Sequence, residues 1–243
     1  MIMEVRTRAI VLRSVKYGDG SLIVDMLTRE CGRVSFMVRI PKTQKGKLKK
    51  QFFQSLTVLA LVFDFRQRSS LQHIRDISVS QPFATIPFDP MKISLVMFLA
   101  EFLTYATRDE QQNVPLFDFV ESSLRWLDDA DGGYTNFHLV FMTRLSLFIG
   151  FQPSLDDYSD DSLFDLREGC FTHVVPLHHD FLQPSQAHLL PTLLRLNYRN
   201  MHLLRLSREQ RNDIVGQILY FYRLHVPDMP ELRCLDVLKE LFA

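Results

Sequence analysis

Five short segments rich in β-branched and aromatic residues crowd into the first eighty positions of this chain. They are VRTRAIVLRSV (5 to 15), SLIVDMLT (21 to 28), GRVSFMVRI (32 to 40), SLTVLALVFDF (55 to 65) and LQHIRDISVS (71 to 80). Branched and flat side chains favour strands because they pack well on a pleated, half-buried surface. The third segment has the clearest period of two. Val34, Phe36 and Val38 alternate with Arg33, Ser35, Met37 and Arg39, which predicts an apolar set facing inward and two arginines facing outward. Tyr17-Gly18-Asp19-Gly20 and Glu30-Cys31-Gly32 have the composition of tight turns between the first three strands.

The period changes after QPFATIPFDP, whose three prolines, Pro82, Pro87 and Pro90, mark a boundary. Residues 92 to 107, 115 to 129 and 135 to 149 then read as helices, the second opened by Pro115 and the third closed by Gly150. The stretch from Pro153 to Pro191 reads as irregular, and 207 to 224 and 231 to 242 as two closing helices. The expected class is α+β. An N-terminal five-stranded β-barrel of the OB-fold type would occupy residues 1 to 82, with a long basic excursion between its third and fourth strands. An all-α helical domain would fill residues 83 to 243.

Charge supports a division at the same place. The chain is formally neutral, yet residues 1 to 82 carry 15 Lys and Arg against 6 Asp and Glu, a net of +9, and the remainder carries the compensating −9. The densest run is RIPKTQKGKLKK (39 to 50), with six basic side chains and no acid. A solvated charged loop is the ordinary reading of such a run. Here it leaves a strand that carries further arginines on a barrel type whose usual ligands are oligonucleotides. The candidate DNA-binding set is therefore Arg6, Arg8, Lys16, Tyr17, Arg29, Arg33, Arg39, Lys42, Lys45, Lys47, Lys49 and Lys50. Tyr17, at a turn, is the candidate stacking face, whereas Phe36 shares the parity of the core. A second basic cluster, Arg195, Arg199, Arg205, Arg208 and Arg211, reads chiefly as a solvated helix face, with Arg195 and Arg199 at i, i+4.

Several classes of function lack support. There is no G-x-S-x-G, no H-E-x-x-H and no C-x-x-C pair, and Pro41 stands where a phosphate loop ending at Gly46-Lys47 needs glycine. No catalytic residue, cofactor or metal is expected. Cys170, His173, His178 and His179 match no common zinc spacing. The acidic run Asp157 to Glu168 approaches a calcium loop but has Ser162 in place of the turn glycine. Three widely spaced cysteines suggest reduced thiols. MIMEVRTRAIVLRSV has no unbroken apolar stretch for a signal peptide, and ISLVMFLAEFLTYA (93 to 106) is too short to span a membrane. The expectation is a cytoplasmic protein without membrane contact.

The stretch from Ala9 to Lys47, AIVLRSVKYGDGSLIVDMLTRECGRVSFMVRIPKTQKGK, resembles the opening of the RecO family of bacterial recombination mediators. The likeness extends to QSLTVLALVF, RLSLFIGFQPSLDD and LRCLDVLKELF, and so along nearly the whole chain. The resemblance implies an OB-fold followed by a helical domain, and a non-enzymatic, nucleoid-associated role in DNA repair. It implies binding of single- and double-stranded DNA and annealing of strands. It also implies association with RecR and with the tail of single-stranded-DNA-binding protein, and thereby, indirectly, the loading of RecA. An acidic, apolar-ended tail would seek a greasy groove edged by arginine, for which Arg125 and Arg144 are the candidates. Many relatives carry a four-cysteine zinc module after the G-F-x-P-x-L-D segment, and this chain keeps only Cys170. A contrasting expectation is an interaction scaffold whose basic barrel docks an acidic protein.

Overall fold

The computed structural model describes residues 2–40 and 49–241. In chain order the elements are β1 (Ile2–Tyr17), β2 (Ser21–Thr28), β3 (Gly32–Arg39), β4 (Val58–Arg66), β5 (Ile74–Gln81), α1 (Pro90–Ala106), α2 (Val114–Asp129) and α3 (Phe137–Phe148). There follow β6 (Leu163–Asp165), β7 (Cys170–Thr172), β8 (Phe181–Leu182), α4 (Pro184–Ala187), α5 (Leu190–Arg195), α6 (Arg208–His225) and α7 (Cys234–Leu241). The five expected strands and the five expected helices all form. Contacts group them into two compact units, Met1–Asp129 with Leu232–Leu241, and Ala130–Glu231. The change from strand to helix falls at the prolines, while compactness draws α1 and α2 in with the sheet.

β1 is long because it serves two partners. Its first part, Ile2 to Ile10, pairs antiparallel with β4, and its last part, Ala9 to Tyr17, pairs with β2. The sheet order is β3-β2-β1-β4-β5. Closure comes from a parallel bridge in which Gln72 N donates to Ser35 O at 2.8 Å and Met37 N donates to Gln72 O at 2.9 Å. This is the closed five-stranded barrel expected of an OB-fold. Val5, Ala9, Val11, Val24, Met26, Val34, Phe36, Leu61 and Phe63 fill it, with Phe36 and Phe63 edge to face at 5.0 Å. Each such large side chain contributes about 1.5–3 kcal/mol by leaving water. Phe53, 4% exposed, joins the same core from a short 3₁₀ turn at Lys50–Phe53.

One irregularity decides where the later β1 side chains point. The β1–β2 register shifts between Val11 and Arg13, so Leu12 is an extra residue. Val11 and Leu12 are both buried in consecutive positions, which breaks the alternation. Such a bulge reverses the parity of everything after it. Before it, Val5, Thr7 and Ala9 face the core. After it, Arg13, Val15 and Tyr17 lie opposite the outward residues Asp25, Ile23 and Ser21.

In the same unit, Asp89 caps α1 by accepting from Met91 N at 2.9 Å and Lys92 N at 3.2 Å. The loop before it is clasped by α2. The Asp128 carboxylate accepts from the backbone N–H groups of Ala84, Thr85 and Ile86 at 2.8 to 2.9 Å. Lys92, 2% exposed, donates its Nζ to Thr85 Oγ1 at 2.7 Å and Asp128 O at 3.1 Å. Burial would raise the Asp128 carboxyl, but the three backbone donors outweigh it and the net direction is down.

The second unit corrects two expectations. The region from Pro153 to Pro191 is not irregular: β6, β7 and β8 form a three-stranded sheet in the order β7-β6-β8, followed by α4 and α5. Phe164, Leu166, Phe171 and Leu182 pack with Phe221 of α6 to give it a small core. Strands of two or three residues are too short to establish a period in the sequence. The i, i+4 pairing of Arg195 and Arg199 also fails, because α5 ends at Arg195 and Leu196 is extended. Arg211 is not on a solvated face. It is 8% exposed and donates to Asn136 Oδ1 at 3.1 Å and Leu206 O at 3.2 Å.

Candidate nucleic-acid interface

The candidate arginines divide by what they touch. Arg8 and Arg29 lie against α2. Arg29 donates Nε and Nη2 to the two carboxylate oxygens of Asp118 at 2.8 and 2.9 Å, and Arg8 is paired with Glu121 and, at 3.5 Å, with Asp118. Hydrogen bonding to Asp118 raises the Arg29 guanidinium and, reciprocally, lowers the Asp118 carboxyl. Arg33 faces outward, as expected from its parity, yet it is not presented to solvent. It donates to the Thr104 carbonyl at the end of α1 and to Asp25 at 3.3 Å, and burial pushes its guanidinium down. Arg6 is exposed and makes a long contact with Glu4 at 3.4 Å. These four therefore spend part or all of their charge within the protein.

The remaining described candidates fall on two stretches, the tip of the β1–β3 ribbon and the start of the 3₁₀ turn whose Phe53 O accepts from Ser14 Oγ of β1. Lys16, Tyr17, Arg39, Lys49 and Lys50 are exposed, and among the described residues none of these four cations has an ion-pair partner. Beyond Ile10, β1 no longer pairs with β4, so β1, β2 and β3 project as a ribbon. Tyr17, Ser21 and Arg39 stand in one cross-strand row at its tip, and Ile40 N donates to Gly20 O at 2.8 Å. Behind that row lie Val15, Ile23 and Met37. Tyr17, 57% exposed, offers its ring beside Arg39. Separated cations around an aromatic and apolar surface suit phosphates and unpaired bases better than a compact anion. Lys42, Lys45 and Lys47 lie outside the described residues.

Arg125 and Arg144 fall in different compact units. Arg125 donates to Gln81 Oε1 at 2.7 and 3.0 Å, and Arg144 Nε donates to Leu196 O at 3.0 Å. Among the described residues no group of three His, Cys, Asp or Glu side chains is disposed to hold a metal. In the stretch considered for zinc or calcium, Asp165 accepts from Arg167 N and Glu168 N and pairs with His178 at 3.2 Å, while Asp180 accepts from Arg167 Nε at 2.5 Å. These side chains are committed to the turns of the small sheet. No helix among the described residues is long and apolar enough to cross a membrane. Sequence reasoning passed over Arg13, because a strict period of two from Val5 onward assigns it to the core side. The adjacent apolar pair Val11-Leu12 was the signal of the reversal.

A closed five-stranded barrel with a cationic, aromatic-bearing tip and a helical second half defines an OB-fold protein with an appended helical part. Comparison with known sequences sharpens this. The family models described as "Recombination protein O N terminal" and "Recombination protein O C terminal" match residues 1–83 and 87–232. The protein named DNA repair protein RecO from Phocaeicola vulgatus is 46% identical over 98% of this chain and 99% of its own length. Those of Bacteroides fragilis and Azobacteroides pseudotrichonymphae are 44% identical over 98% of each chain, and 35% identical over 99% of this chain and 100% of the relative. The chain belongs to the RecO family.

Proposed function

We propose that this RecO-family chain is a non-enzymatic recombination mediator that binds single- and double-stranded DNA through the tip of its barrel and anneals complementary strands. In this reading it associates with RecR and single-stranded-DNA-binding protein so that RecA loads onto coated DNA, and it works at the nucleoid in the cytoplasm. We place the DNA-binding domain at residues 1 to 82 and the helical domain at residues 83 to 243. The observation that carries the reading is a set of exposed cations without ion-pair partners among the described residues, Lys16 and Arg39 at the ribbon tip and Lys49 and Lys50 at the 3₁₀ turn, flanking the basic segment between Arg39 and Lys49. Binding through phosphates releases condensed counterions and is indifferent to sequence, which is what a mediator acting at any gap requires. A polycation also lowers the repulsion between two strands that must meet. Arg125 and Arg144 remain the proposed arginines for the acidic tail.

The test is a titration of fluorescent single strands across ionic strength. Four contacts at about −0.7 each give a salt slope near −3 for Lys16, Arg39, Lys49 and Lys50 together. Changing these four to Ala should remove most of that slope, and Tyr17→Ala should weaken single strands more than duplex. Unchanged binding would take the tip out of the interface. A second reading draws on Arg8 and Arg29, which already dock carboxylates of the chain's own α2. In that reading the barrel is a scaffold for an acidic protein. Acidic peptides that displace DNA at equal charge would favour it.

A further inference from the structure

A cleft of about 340 Å³ opens between β1, the second half of α1 and the start of α7, and its lining includes Arg13, Thr104, Tyr105 and Arg233. At ~30 Å³ per molecule it has room for roughly ten waters. Arg13 and Arg233 are both exposed, and among the described residues neither has an ion-pair partner. One acid, Glu101, lines the cleft with them, and a second, Asp25, lies across the ladder from Arg13. Asp25, opposite Arg13 in the ladder, accepts from Ser35 Oγ at 2.5 Å and from Arg33 at 3.3 Å. Glu101 accepts from Arg233 N at 3.0 Å and Cys234 N at 2.7 Å, so the first turn of α7 offsets its charge. Arg13 and Arg108 both act on Arg33 as like charges. Two guanidinium groups, those of Arg13 and Arg233, thus line the cleft beside one carboxylate, Glu101, that already accepts two backbone N–H groups.

Like charges held together raise the energy of the folded state unless a counter-ion shares the space. We propose that the cleft is a phosphate-binding subsite in which Arg13 and Arg233 grip a phosphodiester of the single strand. This rests on the DNA-binding reading above. Its place fits that reading, because the bulge at Leu12 puts Arg13, Val15 and Tyr17 on one outer face of the ribbon. Four residues at about 3.3 Å each separate the cleft from the Tyr17 ring by roughly 13 Å. That separation is shorter than the run of roughly 4–16 nucleotides that a barrel of this type covers, so one strand can reach both. Guanidinium groups suit a phosphate because they present paired donors in a fixed fork.

The experiment compares the full chain with Arg13→Gln, Arg233→Gln, the double variant and the charge-keeping Arg13→Lys/Arg233→Lys variant. Binding to an oligo-dT is read by anisotropy across ionic strength. The double Gln variant should bind roughly tenfold more weakly at low salt, with a salt slope shallower by about 1.4, twice the ~0.7 of one contact. The Lys variant should keep most of the slope, which separates lost charge from lost fold. Unchanged affinity and slope in the double Gln variant would overturn the subsite. A parallel arm measures the rise in melting temperature given by inorganic phosphate. Should the wild type bind no oligo-dT while phosphate stabilises it and not the double Gln variant, the DNA reading falls and the subsite stands for free phosphate. Absence of both effects removes the subsite as well.

Discussion

At Gly32 a single hydrogen atom decides whether the β2–β3 turn can meet the loop between α1 and α2. Its φ is +67°, and a Cβ there would sit 2.3 Å from the Gln111 carbonyl carbon and 2.7 Å from Glu110 O. The approach is used: Arg33 N donates to Glu110 O at 3.0 Å, and Thr28 Oγ1 donates to Gly32 O at 2.7 Å. Gly32→Ala therefore meets backbone, which cannot rotate aside, as well as the left-handed conformation that costs an L-residue roughly 1–2 kcal/mol. Gly18, at the other hairpin, has φ +61° but open space around its Cβ position. Gly18→Ala should cost only the conformational part, about 1 kcal/mol, and Gly32→Ala at least twice that. Urea midpoints of the two variants check the order. Equal losses would mean that the loop at Gln111 moves away freely.

At the scale of elements, α2 is held to the barrel by the arginines that composition alone assigns to DNA. Asp118 and Glu121 stand one helical turn apart and meet Arg29 and Arg8 from β2's end and β1. Asp118→Ala should loosen this docking and free Arg29, while Arg8 keeps its pairing with Glu121. The expected result is a lower urea midpoint with single-strand affinity at low salt unchanged or raised. Arg29→Ala should lower the midpoint without the flattened salt slope expected of Lys49 and Lys50 variants. Loss of DNA affinity in Arg29→Ala at a preserved midpoint would return Arg29 to the interface. The five strands and the long helices are legible in the sequence because their apolar residues repeat over eight or more positions. Charge is legible as a count, but pairing is not: nothing in the spacing of Arg8 and Arg29, 110 and 89 residues from Asp118, reveals that they meet it. The tip at Lys16, Tyr17 and Arg39 is legible because turn glycines fix its position. Arg13 is hidden by a one-residue bulge that only the register exposes.

For the whole molecule, acid is the condition that separates the contributions. His138 on α3 is 1% exposed, and burial, aided by the charge of Arg211, pushes its imidazole down to about 3. Its folded value lies below the unfolded one, so the unfolded chain binds the extra proton. Stability must fall as pH drops from about 6.5 toward 3, by up to about 1.4 kcal/mol per pH unit. Asp128 acts in a lower window. Its carboxyl is depressed, so its contribution is present above the unfolded value near 3.8 and is lost as pH falls through the folded one. The limb between pH 6 and 4.5 therefore belongs mainly to the histidine, and the limb below 4 takes in the clasp on residues 84–86. Urea unfolding followed at intervals of pH should show a His138→Gln variant with a flatter curve from about pH 6 down toward 3. Asp128→Asn should flatten only the part below about pH 4, and lose stability at neutral pH because an amide holds three backbone donors less firmly. The two residues lie in different compact units, so separate probes in each should resolve the two limbs. An unchanged upper limb in His138→Gln would show that the imidazole is protonated in the native protein.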